Sequence, residues 1–191
     1  KQVKSKNIII NNLKEIFEIT NRNYVFFTST GYLSREFNHL NTKNFNNKFK
    51  GFLNVGGMGH TSSIAMGYSL YSKNNIICLD GDGSIIMHLG SLLTISAYKK
   101  NFKYILFNNN LHESVGTMNT NSNNINFKML SKSLGFNNYY FANNVSIFRK
   151  NYKKFLNSKR KSFFEVQFKP GSLENLTRPT SLEDIYNKLL N

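Results

Sequence analysis

Two short stretches of the chain, Asn75-Ile76-Ile77-Cys78-Leu79-Asp80 and Lys103-Tyr104-Ile105-Leu106-Phe107, are apolar almost without interruption. A strand with one wet face alternates polar and apolar residues, so runs like these belong to a sheet covered on both sides. Between them a helical pattern places Leu89, Leu92, Leu93 and Ala97 on one side. Strand, helix, strand at this spacing specifies a parallel crossover. The expected fold class is α/β: a doubly wound, mostly parallel sheet with helices on both faces. At 191 residues and 40% hydrophobic content, the chain holds one such domain over 1–191.

The remaining elements fit that plan. Residues 7–19 repeat apolar positions at helical spacing, and Tyr24–Thr28 is a β-rich run broken by Thr30-Gly31. A small helix is expected after Ser34 as N-cap, with residues 38–50 as an Asn-rich loop. Gly56-Gly57-Met58-Gly59-His60 is a glycine-dependent connection opening a helix through Leu70. A long loop is expected to about Asn126, then a helix to Leu134 and a short strand at 139–141. Residues 148–161 form a basic helix, 163–168 the last strand, and 181–190 a terminal helix.

Composition narrows the function classes. One cysteine excludes a disulfide scaffold and a Cys-rich zinc site, and Cys78 is expected to be buried. The net charge of +15 points toward anionic ligands, yet only five of 25 basic residues are arginine and the chain carries 31 asparagines. That pattern follows from AT-rich coding, and the basic helix places Phe148, Tyr152, Phe155 and Leu156 on one apolar face at helical spacing. Its lysines therefore read as a solvated face rather than a nucleic-acid patch. No apolar run approaches the ~20 residues of a membrane span, and no signal peptide opens the chain. A cytoplasmic protein that contacts neither membrane nor nucleic acid is expected.

The chemistry concentrates at Gly81-Asp82-Gly83-Ser84, directly after an apolar strand. An EF-hand would need glycine and glutamate where Ile85 and Ser91 stand. A dehalogenase-type phosphatase would need a strand-end acidic pair that the chain does not offer. A dinucleotide fold, with Gly57-x-Gly59-x-x-Ser62 ahead of Asp80, leaves Asp82 and Asn109 unexplained. From Asp82 to Asn109 is 27 residues, the length of one helix plus one strand, so both reach the same sheet edge. A carboxylate, an amide oxygen and a nearby carbonyl make an oxygen-only site that suits Mg²⁺.

Gly-Asp-Gly followed at this spacing by Asn108-Asn109 resembles the diphosphate-binding (PP) domain of thiamine-diphosphate-dependent enzymes. Asn54-Val55-Gly56-Gly57-Met58-Gly59 is similar to that family's stretch for the aminopyrimidine ring. Thr28–Phe37, Met58–Ser63 and Asn108–Gly116 most resemble the phosphonopyruvate decarboxylase family, with sulfopyruvate decarboxylase next. The likeness spans roughly residues 3–170, and it departs at Thr117-Met118-Asn119-Thr120, where the decarboxylase has Gly-Gln-Pro-Thr.

The resemblance implies thiamine diphosphate and Mg²⁺ as cofactors. Asp82, Asn109 and the Leu111 carbonyl would bind the metal. Gly81, Asp82, Gly83, Ser84, Asn109, Gly31, Gly56 and Met58 would contact the cofactor, with Met58 wedged beneath it. His112 and Glu113 would face the reacting centre as catalytic residues. The implied reaction is decarboxylation of a 2-oxo acid, phosphonopyruvate to phosphonoacetaldehyde and CO₂. The alternatives are a sulfopyruvate decarboxylase beta subunit or an acetolactate-synthase-like transferase. The activating glutamate would come from a pyrimidine-binding domain or subunit, giving a hetero- or homo-oligomer. Glu15 and Glu18 are expected to be solvated, and Glu36 to lie at the diphosphate side.

Overall fold

The computed structural model describes residues 9–98, 101–179 and 181–190. In chain order the elements are α1 Ile9–Ile19, β1 Tyr24–Thr28, α2 Tyr32–Lys43, β2 Lys50–Leu53, α3 Thr61–Tyr71, β3 Asn75–Gly81, α4 Asp82–Met87, α5 Ser91–Tyr98 and β4 Lys103–Asn108. A two-residue ribbon follows, β5 Leu111–His112 against β6 Met118–Asn119, then α6 Phe127–Ser133, β7 Asn138–Ala142, α7 Val145–Asn157, β8 Ser162–Gln167 and α8 Leu182–Leu190. Asn7 and Ile8, expected in the first helix, lie outside the described residues.

The main sheet has the order β2-β1-β3-β4-β8-β7, and every pairing in it is parallel. Each inner strand splits its side chains between two cores. Phe26, Ile77, Leu79, Ile105, Phe107 and Phe164 face a core closed by α1, α2 and α7. Val25, Phe27, Ile76, Cys78, Tyr104, Leu106 and Phe163 face the other, closed by α3, α5 and α6. This two-sided burial is why β3 and β4 carry no polar alternation. The basic helix α7 buries Phe148, Tyr152 and Phe155 as expected, while Leu156 is half-buried and the helix ends at Asn157, short of 161. Its Arg149 pairs with Glu15 (2.6 Å) and Glu18 (3.2 Å) across to α1, so these two acids are bridged rather than simply solvated.

Three local expectations are corrected. The helix α2 starts at Tyr32 with Gly31 as its cap residue; Ser34 lies inside its first turn, where the hydroxyl donates back to the Gly31 carbonyl (3.0 Å). The segment 38–50 is not all loop, because α2 continues to Lys43 and β2 begins at Lys50. The helical pattern after Ser84 is broken into α4 and α5, and the buried face of α5 is Ser91, Leu92 and Ile95, leaving Leu93 and Ala97 exposed.

From β1 the chain runs outward to β2, then crosses back to β3 on the other side of β1. That reversal opens a crevice between the carboxyl ends of β1 and β3, the place where open α/β sheets bind ligands.

Candidate functional site

Of the site residues singled out by sequence, all but Gly31 and Gly56 line a cleft at these strand ends. This cleft is lined by Ser29 and Thr30 after β1, Met58, the run Gly81 to Ser84 after β3, and Asn109, Leu111, His112 and Glu113 after β4. Its volume is about 70 Å³, well below the roughly 300–1,000 Å³ of an ordinary ligand pocket. The described residues thus supply one wall of a site. A larger hollow of about 540 Å³, lined by α2, β2 and residues of 177–179 and 181–185, contains none of the candidate site residues.

Asp82 is 3% exposed at the start of α4. The Thr120 hydroxyl donates to its Oδ2 at 2.5 Å and the Ser122 hydroxyl at 3.0 Å. Burial holds the Asp82 carboxyl above its ordinary range, with those hydrogen bonds acting the other way. Thr120 is the one position of the divergent quartet 117–120 that keeps the residue of the resembling family, the signal by which it was findable. Below it, buried Asp80 accepts from Tyr104 Oη–H (2.7 Å) and from the Gly81 N–H (3.0 Å). Burial raises Asp80 as well, and hydrogen bonds from Ser84, Tyr104, Gly81 and Ser29 oppose the rise. Asp80 is thus a buried organiser of the strand ends, a role that local sequence did not reveal.

The two glycine-rich segments are bolted together. Gly59 N–H donates to Ser84 Oγ (3.1 Å), and a Cβ on Gly59 would press to 3.2–3.3 Å on Met87, His88 and the Ser84 carbonyl. Its φ of +86° also lies in the region that favours glycine. Met58 belongs to neither core and lines the cleft, so it is presented rather than packed. Gly56 is exposed on the same loop and does not line the cleft. Gly31 packs on Ser114, and the His112 ring lies directly on Gly83, where any Cβ would collide with it.

Asn109 Oδ1 accepts from the Leu111 N–H (3.1 Å), and its Nδ2 donates to Glu113 Oε2 (2.5 Å). Glu113 Oε1 accepts the Gly171 N–H at 2.7 Å, so both its oxygens are engaged by the chain itself. Glu36 is fully buried; its Oε1 accepts the Leu173 N–H (2.9 Å) and its Oε2 has no partner. Residues 168–173 are therefore pinned across the strand ends at three points, counting Phe168 N–H to the Asn108 carbonyl (3.2 Å).

Burial pushes the Glu36 carboxyl up to about 7; the Leu173 N–H counters this and negative charge on Glu113 adds to it. A carboxyl whose folded value is raised from 4.5 stabilises the fold fully below 4.5, and that contribution is lost as pH climbs through 7. The melting temperature should drop by on the order of 5 °C between pH 5 and 8. Glu36→Gln should flatten this slope, measured by thermal melts in matched buffers; an unchanged slope would place the ionisation elsewhere.

The donors gathered here are all hard oxygens: a buried carboxylate, an oriented amide and a backbone carbonyl. They fit Mg²⁺. Among the described residues no group of three or more His, Cys, Asp or Glu could hold a metal, and no helix is long and apolar enough to cross a membrane.

A parallel sheet with its motif residues at the switch point defines a domain that holds a cofactor at its strand ends. Residues 29–166 match the family described as thiamine pyrophosphate enzyme, C-terminal TPP binding domain, and the chain belongs to that family. It is 26% identical over 159 residues to phosphonopyruvate decarboxylase of Streptomyces viridochromogenes, covering 83% of this chain and 39% of that protein. It is 31% identical over 140 residues to the sulfopyruvate decarboxylase subunit beta of Methanothermobacter thermautotrophicus, covering 73% of each. The chain thus spans about two fifths of the phosphonopyruvate decarboxylase and nearly three quarters of the sulfopyruvate subunit. An X-ray structure of a candidate thiamin diphosphate-dependent enzyme from Mycobacterium smegmatis superposes with a TM-score of 0.67 over 87% of this chain and 32% of that one, at 12% identity. That likeness supports the fold.

Proposed function

We propose that this chain is the cofactor-holding part of a thiamine-diphosphate- and Mg²⁺-dependent 2-oxo acid decarboxylase, acting on phosphonopyruvate. One observation carries the reading: Asp82, Asn109, Leu111 and Met58 line a single cleft although they come from three separate connections. Asp82, Asn109 and the Leu111 carbonyl hold the metal, and Gly81, Gly83, Ser84, Gly31 and Gly56 contact the cofactor through the backbone. When bound, thiamine diphosphate supplies the electron sink that lets CO₂ leave a 2-oxo acid. The chain's own residues bind and orient. Met58 sets the cofactor's shape, and His112, held over Gly83, faces the reacting side. Glu113 stands beside it with both oxygens occupied by Asn109 and Gly171. The activating glutamate comes from a pyrimidine-binding domain or subunit in a cytoplasmic assembly.

A second reading, a sulfopyruvate decarboxylase beta subunit, is favoured by the even 73% coverage of that relative and by its being a subunit. Steady-state assay of phosphonopyruvate, sulfopyruvate and pyruvate with the full assembly distinguishes the two. Thermal melting with thiamine diphosphate plus Mg²⁺, with and without a chelator, tests the shared part; no Mg²⁺-dependent shift would sink both.

Met58→Ala should keep the melting temperature within a degree or two, because the side chain packs in neither core. Turnover should fall about a hundredfold, the size expected when reacting atoms are held an ångström out of place. Parallel losses of stability and turnover would make Met58 a packing residue.

A further inference from the structure

We infer that Glu113 is a positioning residue: it fixes which atom of the Asn109 amide faces the metal, and it ties that amide to the segment 168–173. The inference rests on the metal site proposed above. An asparagine amide has two ends alike in shape and opposite in hydrogen bonding. A carboxylate only accepts, so Glu113 Oε2 selects the Nδ2 end of Asn109 (2.5 Å) and leaves Oδ1 toward Leu111, whose N–H it accepts. The other carboxylate oxygen takes the Gly171 N–H at 2.7 Å, from 58 residues away. Two residues further, Leu173 N–H is held by Glu36. Docking of 168–173 and orientation of a metal ligand thus share one side chain.

The test is a double-mutant cycle on the intact protein, purified with any subunit it carries. Glu113→Gln keeps the shape but offers one acceptor to two donors. If the introduced amide turns its NH₂ toward Asn109, that side chain flips and presents its own NH₂ to the cation. Mg²⁺ binding in the presence of thiamine diphosphate, read by titration calorimetry, should weaken 10- to 100-fold, the usual effect of losing a group that orients a metal ligand. Glu113 is half-buried in a one-turn 3-10 helix outside both cores, so the melting temperature should hold. Asn109→Asp has no wrong way round. It should therefore raise Mg²⁺ affinity at least tenfold more in the Glu113→Gln background than in Glu113→Ala, where no amide turns the side chain at 109 and no carboxylate repels the introduced one. Hydrogen exchange at Gly171, read without metal, should speed up in Glu113→Ala, which removes both acceptors, whereas the glutamine that turns its NH₂ to Asn109 still offers its carbonyl to the Gly171 N–H. Additive effects on Mg²⁺ affinity would overturn the positioning role, and unchanged exchange would overturn the link to 168–173. Wild-type protein that binds thiamine diphosphate without needing Mg²⁺ would overturn the functional reading and the metal half of this one together, while the exchange experiment still judges the link.

Discussion

Asp82→Ala should abolish Mg²⁺-dependent binding of thiamine diphosphate while leaving the fold intact. Asp82 is nearly fully buried and meets two hydroxyls and the Gly83 N–H but no lysine or arginine among the described residues. Burial already disfavours its charge, so alanine removes an uncomfortable group rather than a structural prop. The melting temperature without metal should not fall. Metal affinity should drop by more than the roughly 100-fold seen when only an orienting neighbour is lost. Asn109→Ala should do the same and in addition free Glu113. Calorimetry with Mg²⁺ and thiamine diphosphate, beside a circular-dichroism melt, reads both variants. Normal cofactor affinity in the two would remove the site assignment altogether.

Residues 1–191 alone should turn over a 2-oxo acid at under about one percent of the rate of the assembled enzyme, since a well-placed acid–base group contributes roughly 10²–10⁴-fold. The ring-activating glutamate of the proposed mechanism has no candidate among the chain's ten acidic residues. Glu15 and Glu18 pair with Arg149, and Glu165 is held by Asn108 and Tyr139. Glu36 and Glu113 hold backbone N–H groups, and Asp80 and Asp82 sit under the strand ends. Glu174, Glu183 and Asp184 are exposed outside the cleft. A cleft of about 70 Å³ is likewise too small to enclose the cofactor. Adding a pyrimidine-binding subunit to the purified chain and following CO₂ release measures the gain; rates matching a complete decarboxylase without that subunit would refute the prediction.

The architecture was legible because its signals are local. Uninterrupted apolar runs at β3 and β4, and 27 residues between Asp82 and Asn109, are enough to put both side chains at one sheet edge. The errors fall where distant contacts override propensity. Asparagine-rich 38–50 looks like a loop, yet Asn41 exchanges two hydrogen bonds with the Phe49 backbone (2.9 and 3.1 Å) while Leu40 and Phe49 enter a core. Asparagine competes with helix only until a partner elsewhere claims its amide. The engagement of Glu113 by Gly171, and of Glu36 by Leu173, joins residues 58 and 137 positions apart. No periodicity or motif spacing carries such a pairing, so the contacts of Glu113 with Asn109 and Gly171 were not legible beside the catalytic role that the resemblance implied for it.

The insertion of β8 between β4 and β7 also has a consequence during synthesis. Strand β4 carries Asn108 and Asn109 at its end, but its outer edge pairs only with β8, which ends 59 residues after Asn108. At roughly 5–20 residues per second, a ribosome takes several seconds to deliver that strand. Through that interval the nascent chain carries a bare, apolar β4 edge, an invitation to foreign strands. Asn108 and Glu113 meanwhile lack Glu165 and Gly171 as partners. Cofactor capture is therefore a late event in the life of each chain, and a pause in translation before residue 162 is the moment at which aggregation should compete with it.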